Sequence, residues 1–199
     1  MNNLKTAVLI TSICTLAACS PSTPPSESPT TPLATVPEPA LPALATDNTS
    51  LFERAILTAT GDTLGTLSLK DLGEGGTEVT VTVSGLDGAG THAMHFHEIG
   101  ACEAPSFKSS GGHFNPMNMA HGKLSADGPH AGDMMNMEVG ADGTGTLTII
   151  NERASIDGDH GLPALLDADG TALIIHERGD DYTTQPTGAA GGRIGCAVL

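Results

Sequence analysis

An all-β domain is what this sequence predicts, on three observations. Short stretches alternate apolar and polar residues with a period of two, as half-buried strands do. Gly-rich turn signals separate those stretches. No long stretch repeats at helical spacing. The clearest alternation is Glu78-Val79-Thr80-Val81-Thr82-Val83-Ser84. Phe52 to Ala59, Thr63 to Lys70, Thr144 to Ile150 and Thr171 to His176 are further predicted strands. The turns lie at Leu72-Gly73-Glu74-Gly75-Gly76, Asp87-Gly88, Asp142-Gly143 and Asp169-Gly170. Many short strands with turns between them predict an antiparallel sandwich or barrel. The stretch from Ile99 to Glu138 lacks strand pattern, and a segment that long without secondary structure is expected where it carries function.

The domain begins at about residue 49. Residues 1–19 read as an export signal, with Lys5 as the positive start and Thr6 to Ala18 as a short apolar run. That run falls short of the roughly 20 residues a membrane-spanning helix needs. Its end, Leu16-Ala17-Ala18-Cys19, resembles the lipobox of bacterial lipoproteins. That resemblance implies a lipid on Cys19 and, with Ser20 next, an anchor in the outer membrane facing the periplasm. Residues 20–48 are built from Pro, Ser, Thr, Ala and Glu and read as a tether that lifts the domain off the membrane.

The formal charge is −15, from 8 Lys+Arg against 23 Asp+Glu. Nucleic acid is excluded as a partner, because binding it needs a basic footprint. An anionic substrate would also be repelled unless the site reverses the field locally. Of four cysteines, Cys14 lies in the signal and Cys19 at its end. Cys102 and Cys196 remain, and export to an oxidising compartment makes them natural disulfide partners. Two free thiols or two metal ligands are the alternatives.

All eight histidines lie between His92 and His176. His95 and His97 sit two apart in a strand-like segment, so both rings fall on one side of the sheet. Paired imidazoles on a rigid strand suit copper or zinc. His113 follows two glycines in Gly111-Gly112-His113-Phe114-Asn115-Pro116. With His121, His130 and Asp133 it could supply three nitrogens and a carboxylate oxygen, a closed tetrahedral zinc site. His176 ends the predicted strand Ala172 to His176. His92 is out of phase with His95, and both it and His160 read as structural.

From about Phe52 to Leu199 the sequence resembles the copper–zinc superoxide dismutases. The stretches that carry the resemblance are HAMHFHE, GGHFNP, GPHAGD, IIHERGDDY and TGAAGGRIGC. It implies an eight-stranded Greek-key β-barrel with two long loops forming the metal site. It implies one copper ion and one zinc ion per chain. His95, His97, His113 and His176 are the implied copper ligands, and His113, His121, His130 and Asp133 the implied zinc ligands. His113 bridges the two metals. Asp180 matches the aspartate that links a copper-ligand histidine to a zinc-ligand histidine. Cys102 and Cys196 match the family disulfide, and Arg193 the arginine that guides the anionic substrate.

The implied reaction turns two superoxide anions and two protons into dioxygen and hydrogen peroxide. Copper cycles by one electron, His113 donates a proton, and zinc holds geometry without redox chemistry. Lys108 and Lys123 lie in the same loop region and are candidates for steering. Met94, Met117, Met119, Met134, Met135 and Met137 read as gap-filling or loop residues. Two other readings remain: a copper- or zinc-binding lipoprotein of the same fold without turnover, and a structural lipoprotein stapled by its metals. The oligomeric state is left open, with a homodimer allowed.

Overall fold

A computed structural model describes residues 51–199. The expected signal at 1–19, the lipid site at Cys19 and the tether at 20–48 lie outside the described residues. Among the described residues no helix is long and apolar enough to cross a membrane.

Nine strands form among the described residues, in chain order: β1 Leu51–Leu57, β2 Thr63–Asp71, β3 Thr77–Val83, β4 Gly90–His92, β5 Met94–His97, β6 Met137–Val139, β7 Gly145–Asn151, β8 Ala172–His176 and β9 Arg193–Val198. Every pairing between these strands is antiparallel. One sheet runs β5-β8-β9-β1-β2-β3-β7, and β4-β6 form a second, two-stranded sheet. The expected eight strands return if β4 and β5 count as one. Only Ala93 separates them, and there the chain changes partner from β6 to β8. The backbone stays bonded through the change, because Ala93 N–H donates to the Arg178 carbonyl and the Ala93 carbonyl accepts from His176 N–H, both at 2.9 Å.

The long sheet is two half-sheets joined by a narrow seam, since β1 meets β9 only at Leu57 and Cys196. Strand alternation sends Val79, Val81 and Val83 of β3 inward, with Leu67 and Leu69 of β2. They pack with Met94 and Phe96 of β5 and with Leu173 and Ile175 of β8. Apolar burial of this kind, about 25 cal/mol per Å², is the main stabilising term. Ala172 and Ile174 point to the other face of β8, where Phe107, Cys196 and Cys102 cover them. That strand is therefore buried on both faces, which explains its unbroken apolar run Ala-Leu-Ile-Ile.

The predicted strands lie within two residues of their observed bounds. β9 carries no strand pattern of its own, because Gly195 and Ala197 give no strand signal. A Cβ on Gly195 would stand 2.8 Å from Leu64, so the small residue is a packing requirement. β6 falls at the end of the stretch that lacks strand pattern, where its pairing with β4 creates it.

Candidate metal centre

The Met94-His95-Phe96-His97 alternation decides where the site stands. Met94 and Phe96 enter the core, so His95 and His97 face the opposite side. β5 is an edge strand, and an edge leaves backbone groups unpaired. Two loop segments take them up. Phe96 N–H donates to the Gly132 carbonyl at 2.9 Å, and the Phe96 carbonyl accepts from Phe114 N–H at 2.8 Å. Glu98 N–H donates to the Gly112 carbonyl at 3.0 Å. These bonds set His113 opposite His97 and Asp133 opposite His95. His176 arrives at the end of β8, after a register shift that re-aims it.

Two clusters result. In the first, ligand atoms of His95, His97, His113 and His176 lie within 4.8 Å of one another, and all four residues are buried. Their ring protons can be placed from their partners. His97 Nδ1 lies 3.0 Å from the Gly111 carbonyl, and His176 Nδ1 lies 3.5 Å from the Gly191 carbonyl. A carbonyl only accepts, so Nδ1 carries the proton and Nε2 keeps its lone pair. His95 is reversed: Nε2 donates to Asp180 Oδ2 at 2.9 Å, which leaves Nδ1 free. Among the described residues, the buried side-chain atoms without a hydrogen-bond partner are His95 Nδ1, His97 Nε2, His113 Nε2, His176 Nε2 and Thr171 Oγ1. Orphaned buried nitrogens are costly. Four of them converging on one point have the donor set that copper takes.

The second cluster centres on Asp133. Its Oδ1 lies 2.9 Å from His113 Nδ1, 3.1 Å from His121 Nδ1 and 3.2 Å from His130 Nδ1. His130 Nδ1 is 3.4 Å from His113 Nδ1. Metal–nitrogen bonds of about 2.0–2.1 Å set tetrahedral edges of roughly 3.3 Å, so these spacings fit zinc. Asp133 Oδ2 also lies 3.1 Å from His121 Nδ1, and it accepts from Gly122 N–H at 2.8 Å and His130 N–H at 3.0 Å. His95 also lies within 4.8 Å of this group. Its Nε2 is committed to Asp180, so His130 is the better fourth member. His113 thus offers Nδ1 to one cluster and Nε2 to the other. Asp180 ties the clusters together, accepting from His95 Nε2 at 2.9 Å and His121 Nε2 at 3.0 Å.

Electrostatics prepare both clusters. Burial, reinforced by neighbouring histidines and Arg193, pushes His97 down to about 2 and His176 to about 3. Burial also outweighs the Asp133 hydrogen bond and lowers His113 to about 4. His95 is lowered as well, again by burial. At neutral pH these four rings present lone pairs. Burial disfavours the His121 cation too, but Asp133 and Asp180 overcome it and raise His121 to about 9. The three histidines around Asp133 hold its carboxyl well below the usual range, against the effect of burial.

Arg193 stands on β9 opposite His176. Its Nη1 donates to the Phe107 carbonyl at 2.7 Å and Ser110 Oγ at 2.9 Å, and Nη2 to the Gly111 carbonyl at 2.8 Å. With Lys108 and Gly191 it lines an open depression of about 360 Å³. Lys123 does not join that wall. Its ammonium sits 4.1 Å from the Tyr182 ring centroid, beside Met135. Cys102 and Cys196 form a disulfide, with Cα atoms 5.8 Å apart.

His92 stays out of the clusters and donates from Nδ1 to the His176 carbonyl at 2.8 Å. His160 is exposed. Met94, Met134 and Met137 are buried in the core, while Met117, Met119 and Met135 are exposed. Sequence reasoning missed Asn136 and Gln185, which grip the backbones of Asp180 and His121. Neither stands in a pattern that signals such a role.

Comparison with known proteins agrees with this geometry. The family described as copper/zinc superoxide dismutase matches residues 63–199. A Cu-Zn superoxide dismutase of Caulobacter vibrioides is 45% identical over 111 residues, covering 55% of this chain and 64% of that one. A superoxide dismutase-like protein of Bacillus subtilis is 39% identical over 139 residues, 70% of each chain. Among solved structures, a SOD-like protein from Bacillus subtilis superposes with a TM-score of 0.69 at 37% identity, covering 74% of this chain and 97% of that one. The Cu/Zn superoxide dismutase from Brucella abortus gives 0.60 at 27% identity, over 75% and 99%. Those neighbours share the Greek-key β-sandwich that the strand order here describes, and copper and zinc are the family's metals. The chain belongs to the copper/zinc superoxide dismutase family.

Proposed function

We propose that this chain is a superoxide dismutase, converting two superoxide anions and two protons to dioxygen and hydrogen peroxide. The observation that carries the reading is the set of four orphaned imidazole nitrogens, one of them on a ring whose other nitrogen serves a second cluster. His95 Nδ1 and the Nε2 atoms of His97, His113 and His176 would hold copper. His113 Nδ1, His121 Nδ1, His130 Nδ1 and Asp133 would hold zinc. When bound, copper supplies one-electron redox exchange and zinc supplies charge without redox chemistry.

The residues of the chain do the rest. His113 Nε2 is the atom at which a proton can be held and passed to the product while Nδ1 stays with its partners. Asp180 fixes the rings of His95 and His121 in their orientations. Arg193 is rigidly held by three hydrogen bonds and draws the anion toward the histidines. A local positive field of this kind raises the on-rate of an anion by about 10–10³-fold, which offsets the acidity of the chain as a whole.

Metal content per chain by mass spectrometry, with superoxide decay followed by pulse radiolysis, tests this. One copper, one zinc and fast copper-dependent decay are expected. Bound metals without decay would move the reading to a metal-binding protein of the same fold, the alternative that a relative described only as superoxide dismutase-like keeps in play. The export, lipidation at Cys19 and outer-membrane placement facing the periplasm belong to the same proposal. Cys19→Ala should release the protein from the membrane fraction. A homodimer is tested by light scattering of the purified protein.

A further inference from the structure

Two segments that meet at the zinc-type cluster hold each other through side-chain amides. One, residues 177–192, follows β8. The other, residues 120–136, precedes β6. Asn136 grips Asp180: Nδ2 donates to its carbonyl at 3.0 Å, and Oδ1 accepts from its N–H at 2.8 Å. Gln185 makes the reverse grip on His121. Its Oε1 accepts from His121 N–H at 2.8 Å, and its Nε2 donates to the His121 carbonyl at 2.9 Å. Nε2 also reaches Ser125 Oγ at 3.2 Å and the Thr183 carbonyl at 3.1 Å. Gln185 is an exposed residue, yet its amide closes on both backbone groups of a residue 64 positions away.

The residue it closes on is the histidine with both ring nitrogens committed, Nδ1 to Asp133 and Nε2 to Asp180. A rotation of the His121 backbone would break both contacts at once. The segment carrying Gln185 also passes directly over them. A Cβ on Gly188 would stand 1.8 Å from Asp180 Oδ1 and 2.7 Å from His121 Nε2.

We propose that Gln185 is a positioning residue that holds His121 where Nδ1 faces the zinc cluster and Nε2 faces Asp180, and so couples zinc affinity to the order of residues 177–192. The inference rests on the zinc assignment above and not on turnover. By linkage, a grip that strengthens zinc binding is itself strengthened by zinc to the same factor.

Gln185→Met in the full chain keeps the length of the side chain and removes all four hydrogen bonds. Zinc affinity, measured by competition with a chromophoric chelator, should fall about tenfold, the lower end for groups that orient a metal ligand. Co(II) loaded in place of zinc should show altered visible bands. Amide exchange across residues 177–192 should lose its zinc-dependent slowing. Thr187→Ala, in the same segment, should change none of these. If Gln185→Met does not fold, Gln185→Glu keeps the acceptor and loses the donor, and should weaken zinc in the same direction. Unchanged affinity in a folded variant overturns the proposal, and so does an equal loss in Thr187→Ala. Zinc affinity is read without superoxide. A chain that shows this dependence but consumes no superoxide would refute the dismutase reading and leave this one standing.

Discussion

Each histidine of the copper-type cluster is neutral because burial makes its cation costly, and that neutrality has a measurable consequence. His97, His113 and His176 sit at about 2, 4 and 3 in the fold, and His95 is lowered too. Unfolded, they titrate near ~6.5. Between those values the unfolded chain binds more protons, so stability rises with pH there. His121, raised to about 9, acts with the opposite sign, and its contribution is fully present below ~6.5 and lost as pH climbs through about 9. Four rings outweigh one. The metal-free chain should therefore melt at a lower temperature at pH 5 than at pH 7, and a higher melting point at pH 5 would refute the neutral-ring account. Arg193 offers a second test at this scale. Arg193→Ala should slow superoxide consumption by about tenfold and flatten its salt dependence, with copper still bound. An unchanged rate in pulse radiolysis would remove Arg193 from substrate guidance.

At the scale of elements, β5 organises the centre. It is short, on an edge, and buried on both faces. Its inward residues anchor it to the core, while its unpaired amides and carbonyls capture the segments that carry His113 and Asp133. The segment over the top depends on one glycine. Gly188 has φ +63 and its Cα faces the Asp180 carboxylate. Gly188→Ala would strain the backbone by about 1–3 kcal/mol and push a methyl into the Asp180–His121 contact. The expected outcome is a chain that melts lower and binds zinc more weakly. Normal zinc affinity in that variant would show that the close approach is not needed.

Across the whole molecule, the two half-sheets meet at a single paired position, and the disulfide lies at that seam. Cys196 is the β9 residue opposite Leu57, and its bond to Cys102 ties β9 to the loop that holds Arg193. The bridge spans 94 residues of sequence. In the chain-entropy model a loop of that size contributes on the order of 4–5 kcal/mol. Cys196→Ser should lower the melting temperature by roughly 10–20 °C. A shift of a degree or two would mean that the metals and the core hold the seam without it.

Local chemistry was legible along the chain before any tertiary contact. Strand-like stretches between turn signals located β1, β2, β3, β7 and β8 to within two residues, with period-two alternation clearest in β3, and period two put the His-x-His pair on one side of a strand. Resemblance extended that to every member of both clusters, to Asp180 and to the disulfide. Which ring nitrogen does what depends on contacts that exist only in the folded chain. The carbonyls of Gly111 and Gly191 and the carboxylate of Asp180 lie far along the chain from the rings they orient, and no spacing reveals them. The same holds for β6 and β9, which become strands through their partners, and for the amide grips of Asn136 and Gln185. Periodicity is a property of neighbours in sequence, whereas a hydrogen bond across 64 residues exists only once the chain has closed on itself.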